Sequence, residues 1–96
     1  MLKEQVLARV AAVTDPRQLI VQDPRLLGGK PAIYGTRLGV EWLLDKLAAG
    51  QTREQMLADY PTLYPEGIDA ALAFAADFDE HHSIARLLAE YRGLRQ

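Results

Sequence analysis

Lys30 and Arg37 bracket the segment GGKPAIYGTR, residues 28–37, which holds three of the chain's seven glycines, Gly28, Gly29 and Gly35. Glycines beside a lysine are what a phosphate cradle is made from. A P-loop, however, needs its lysine followed by Ser or Thr and then by a helix whose free amides hold the phosphate. Here Pro31 follows Lys30, offers no amide donor and leads into a β-like run, and no GxGxxG pattern occurs. The segment therefore reads as architecture. Gly28 and Gly29 supply positive φ at a hairpin turn, Pro31 fixes the entry into a strand, and Gly35 allows a sharp exit before Thr36 and Arg37.

The other reactive side chains are sparse. His81 and His82 are adjacent, so they point to different sides of a helix, and Asp77 with His81 makes only a two-ligand i, i+4 pair. The chain has one serine, Ser83, too close in sequence to His82 to signal a triad. With no cysteine there is no thiolate nucleophile, disulfide or thiolate metal site. A non-enzymatic protein without metal or cofactor is expected.

The elements that position these residues form one small domain of 96 residues, 49% hydrophobic and 25% charged. No apolar run approaches a membrane span and the N-terminus is charged, so a cytoplasmic protein without membrane contact is expected. The net charge is −2, against an indiscriminate nucleic-acid binder. Its distribution matters more. Residues 1–50 carry seven Lys/Arg against five acids and residues 51–96 four against eight, so any phosphate contact comes from the first half.

Leu2, Val6, Val10 and Val13 have helical spacing up to Pro16. Leu19-Ile20-Val21 and Ala32-Ile33-Tyr34 predict a two-stranded β arm, which must pack on helices or pair with a second copy. From Thr36 onward Val40, Leu43, Leu44 and Leu47 stripe a helix closed by Gly50, with Trp42 off the stripe's centre as a core or dimer-interface residue. Thr52 and Gln55 form a capping box for a short helix burying Met56, Leu57 and Tyr60. Pro65 opens a third helix from Glu66 to Glu80, with Ile68, Ala71, Leu72, Ala75 and Phe78 inward. Ile84, Leu87, Leu88 and Tyr91 outline a last one. Three short helices joined by turns suggest a helix-turn-helix-like trihelical core.

The stretch from Asp23 to Ala75 resembles the bacterial domain-of-unknown-function 433 family. Its block G-G-x-P-hydrophobic-x-G-T-R is matched by Gly28, Gly29, Pro31, Ile33, Gly35, Thr36 and Arg37. The following step is matched by Gly50, Thr52, Glu54 and, one place late, Leu57, and the Y-P-x-L segment by Tyr60, Pro61 and Leu63. The resemblance covers roughly residues 17–80. It implies a homeodomain-like helix-turn-helix fold and an antitoxin-like role beside a PIN-like ribonuclease toxin. The expected fold class is thus mainly α: a helical extension at 1–16, a helix-turn-helix-like domain with β arm at 17–80, and a helical tail at 81–96.

A DNA-reading helix needs Arg, Lys, Asn or Gln toward base edges, and the span from Glu66 to Glu80 has five acids and no base. DNA contacts would instead use Arg25, Lys30 and Arg37 on the arm and Arg53 at a helix start, for an operator or in a stand-alone transcriptional regulator. Arg37 alternatively serves the turn itself. Toxin or dimer contacts are expected from Glu66, Asp69 and Asp77 on the acidic helix and from Leu87, Leu88 and Tyr91 on the tail.

Overall fold

The computed structural model describes residues 2–79 and 81–94, Leu2 by its backbone only. Glu80, the expected end of the third core helix, and the Leu2 side chain lie outside the described residues. The chain forms helix α1 (Leu2–Ala12), a 3₁₀ turn (Pro16–Leu19) and strand β1 (Ile20–Val21). Strand β2 (Ala32–Ile33) and helices α2 (Val40–Ala48), α3 (Arg53–Asp59), α4 (Pro65–Ala75) and α5 (Ser83–Leu94) follow. This is the expected mainly helical architecture. Among the described residues no helix is long and apolar enough to cross a membrane.

Local chemistry explains most boundaries. Asp15 caps the 3₁₀ turn by accepting from the Arg17 amide at 3.0 Å, with Pro16 following it. Thr52 accepts from the Gln55 amide at 3.1 Å while the Gln55 side chain accepts from the Thr52 amide at 2.9 Å, the reciprocal cap expected for α3. Behind α2, the Gln51 and Gly50 amides reach the Lys46 and Leu47 carbonyls at 3.1 Å each, a Schellman closure. Pro65 occupies the first turn of α4 as expected.

Strand β2 lies deeper than an arm should. Ile20 pairs with Ile33 and Val21 with Ala32, while on the other edge Ala32 makes a single bridge with Gly39. Ala32 and Ile33 are wholly buried beneath α4. The packing requirement that suggested an oligomer is therefore met within the chain. The same pairing corrects the start of α2: residues 36–39 are not helical, because Ile33 donates to the Leu38 carbonyl at 3.0 Å and Val40 to the Pro31 carbonyl at 2.9 Å. Buried Thr36 closes this second turn, its hydroxyl donating to the Ile33 carbonyl at 2.8 Å and accepting from the Leu38 amide at 2.9 Å.

Val40, Leu43, Leu44 and Leu47 of α2 meet Met56, Ile68, Ala71 and Ala75 from α3 and α4. Met56, not Leu57, fills the buried place on α3, so the apolar position of the motif carries methionine. Ile84, Leu88 and Tyr91 of α5 close the same core against α2, so residues 83–94 are a structural wall and not a tail. The third core helix ends at Ala75, five residues short of expectation, and Asp77 and His81 share no helix face.

Two contacts seat β2 under α4. A Cβ on Gly67 would stand 2.7 Å from Ile33 Cγ2, and the Tyr64 hydroxyl donates to the Tyr34 carbonyl at 2.9 Å. Burial, reinforced by nearby Glu66, pushes the Tyr64 hydroxyl up to about 12. Gly67→Ala should destabilise by about 1–3 kcal/mol in urea unfolding, even though alanine is the better helix former. Gly93→Ala on α5, where the added carbon meets nothing within 4 Å, should be neutral or mildly stabilising. Tyr64→Phe should cost about 1 kcal/mol. Because the folded value lies above the ordinary one, Tyr64 adds stability that is intact below the usual tyrosine range and lost as pH rises through about 12. Alkaline unfolding of wild type and Tyr64→Phe, compared by circular dichroism, checks this.

Candidate functional site

The turn ahead of β2 holds the most unusual backbone in the molecule. Leu27, Gly28 and Gly29 have φ of 51, 64 and 88°, three successive left-handed residues in the long connection from Val21 to Ala32. Glycine adopts this freely, whereas each L-residue with a side chain costs about 1–2 kcal/mol. Leu27 accepts that strain and remains 40% exposed. The expected tight hairpin turn is thus a long loop, and the glycines shape it as predicted.

Beside this turn opens a cleft of about 1090 Å³ between the loop, the first turns of α2 and the start of α5. Its apolar surface comes from Leu27, Leu38, Trp42, Phe78 and Leu87. Trp42 is half-buried and edge-on to Tyr60, ring centroids 4.8 Å apart. Phe78, also lining the cleft, packs at 4.3 Å on His82, whose Nδ1 accepts from the Ile84 amide at 3.1 Å and so caps α5. Lys30 and Arg37 line the cleft together with Glu41 and Asp45. Among the described residues no hydrogen bond or ion pair engages the side chains of these four.

The remaining charged candidates, Glu66 apart, are engaged inside the molecule. Arg25 holds Asp23 at 3.2 Å, which keeps that carboxyl below the usual range. Arg53 donates to Asp69 at 2.8 Å, joining α3 to α4. Arg17 spans Asp15 and Asp77, reaching the latter at 2.5 Å, and its hydrogen bonds hold Asp15 down to about 2. Two expected DNA contacts, Arg25 and Arg53, thereby have carboxylate partners, and two expected partner contacts, Asp69 and Asp77, have guanidinium partners in Arg53 and Arg17. Glu66 is exposed at the start of α4. Leu88 and Tyr91 are largely buried in the chain's own core, while Leu87 is half-exposed at the cleft. Among the described residues no three His, Asp or Glu side chains cluster for a metal.

Sequence reasoning missed Glu41, Asp45, Phe78 and His82 as neighbours of Lys30 and Arg37. The i, i+4 spacing of Glu41 and Asp45 was a signal that they share a side of α2; nothing local placed α5 opposite them.

A family model described as a protein of unknown function, DUF433, matches residues 20–75. An uncharacterized protein, y4eO, of Sinorhizobium fredii (strain NBRC 101917 / NGR234) is 37% identical over 59 residues, 62% of this chain and 27% of that protein. The chain thus spans about a quarter of the length of that curated relative. Among solved structures, the crystal structure of a DUF433 member protein from Anabaena variabilis ATCC 29413 aligns with a TM-score of 0.63 at 31% identity. That alignment covers 92% of this chain and 82% of the other.

Leu27→Gly tests whether the left-handed turn is strained by its leucine. Relief of the backbone should offset the lost apolar contact, leaving stability unchanged or raised by up to about 1 kcal/mol in urea unfolding. A loss of more than about 2 kcal/mol would mean that Leu27 serves the fold as a buried side chain would.

Proposed function

The chain belongs to the DUF433 family, and on that premise we propose that it is an antitoxin-like, non-enzymatic protein that binds and neutralises a PIN-like ribonuclease, working as a homodimer. One observation carries the choice of a protein partner: the outer side of α4 is acidic. This helix follows α2 and α3 at the place where a helix-turn-helix carries its reading helix. Its inner side, with Gly67, Ile68, Ala70, Ala71 and Ala75, is sealed in the core. Outward it shows Glu66 and Asp69, the latter side chain 59% exposed despite its bond to Arg53. Carboxylates in that position are repelled by phosphate. They suit a protein surface basic enough to bind RNA, where complementary charge steers association and suppresses wrong partners.

A second reading has its own support. Lys30 and Arg37 are exposed and have no carboxylate partner, so a stand-alone regulator would grip duplex phosphate with these two alone.

Co-expression with the product of the neighbouring reading frame should yield a co-purifying complex and relieve growth arrest. Glu66→Lys with Asp69→Asn should weaken that complex by about tenfold or more. Absence of both complex and relief removes the proposal. The regulator reading expects salt-sensitive duplex binding at low ionic strength, abolished by Lys30→Ala with Arg37→Ala; no binding in a low-salt titration removes it.

A further inference from the structure

The four unpartnered charges of the cleft form an ordered patch. Lys30 and Arg37 stand ahead of α2, on the segments that flank its first residue, since the Pro31 carbonyl receives the Val40 amide. Glu41 and Asp45 follow on the helix itself, one turn apart on the same side. The surface therefore runs from positive to negative along the start of α2, with apolar Leu27 and Trp42 beside it. A uniformly acidic partner would satisfy one half and be repelled by the other, and a uniformly basic partner likewise.

One occupant meets both halves. A patch positive at one end and negative at the other is self-complementary about a twofold axis, because each copy's basic end meets its neighbour's acidic end. We infer that the chain pairs with a second copy of itself through this cleft, the two α2 helices antiparallel. Lys30 and Arg37 of each copy then lie against Glu41 and Asp45 of the other, and Leu27 and Trp42 meet at the centre. This rests on the reading of the working form as a homodimer and adds the surface that makes it. Leu27 fits the role of a contact knob: a large apolar side chain 40% exposed on a backbone that disfavours it. Antiparallel helices also oppose their dipoles favourably.

Sedimentation equilibrium on the full chain tests the pairing, and the fluorescence of Trp42, the single tryptophan, reports on the same surface. Wild type should dimerise, with tryptophan emission moving to shorter wavelength as concentration rises. Lys30→Glu with Arg37→Glu should weaken association by about tenfold or more, and so should Glu41→Lys with Asp45→Lys. An equimolar mixture of the two double variants should associate again, because every contact across that mixed pair is once more between opposite charges. The quadruple variant should pair with itself for the same reason. All four positions are exposed or on the helix surface, and circular dichroism verifies that each variant is folded. A monomer at every concentration overturns both the homodimer reading and this interface. A dimer indifferent to both reversals, or a mixture that fails to re-associate, overturns the interface alone.

Discussion

The close approach of Ile33 to Gly67 is the constraint on which the molecule depends. A two-residue strand carries little pairing energy of its own, and an isolated hairpin of this size is marginal in water. It persists because Ala32 and Ile33 are wholly buried, and α4 can cover them only where it has no side chain in the way. Tyr64 secures the same junction through the Tyr34 carbonyl. With β2 seated, Gly39 returns along its free edge, which places the start of α2, and with it Glu41, Trp42 and Asp45.

Charge placement follows from that packing. Once α4 lies over the 3₁₀ turn, Asp77 comes within reach of Arg17, and once α3 meets α4, Arg53 reaches Asp69. These are exposed, solvent-screened pairs that add little to stability, so their main effect is on which charges remain to be seen from outside. What remains near the glycine segment is Lys30 and Arg37 in a cleft shared with two carboxylates. A basic stripe that looks adequate for phosphate in a list of residues is thus reduced to two cations within a mixed patch.

The order of elements was legible because it is written in short-range chemistry: the Thr52–Gln55 cap, Pro65 in the first turn of α4, Gly50 behind α2, and the apolar spacing of Val40, Leu43, Leu44 and Leu47. Where reasoning from sequence overran, a tertiary contact had intervened. Within residues 36–39 only Gly39 speaks against a helix locally, yet Ile33 claims the Leu38 carbonyl and Pro31 the Val40 amide for strand-like pairing. The acids after Ala75 suggest a longer α4, but there the helix ends and Asp77 bonds to Arg17.

The candidate site divides along the same line. By itself the sequence determined that the glycine segment lacks the pattern of a P-loop, since Pro31 follows Lys30 and lacks an amide hydrogen, and that the expected span of the third core helix carries acids and no base. It also determined the left-handed glycines, because conformational freedom at a turn is a property of the residue. Only the tertiary structure decided which charges are neutralised, that Leu88 and Tyr91 belong to the core, and that Lys30 and Arg37 share a cleft with Glu41, Trp42 and Asp45. Such facts depend on distances between residues far apart along the chain, and packing, not local propensity, sets those distances.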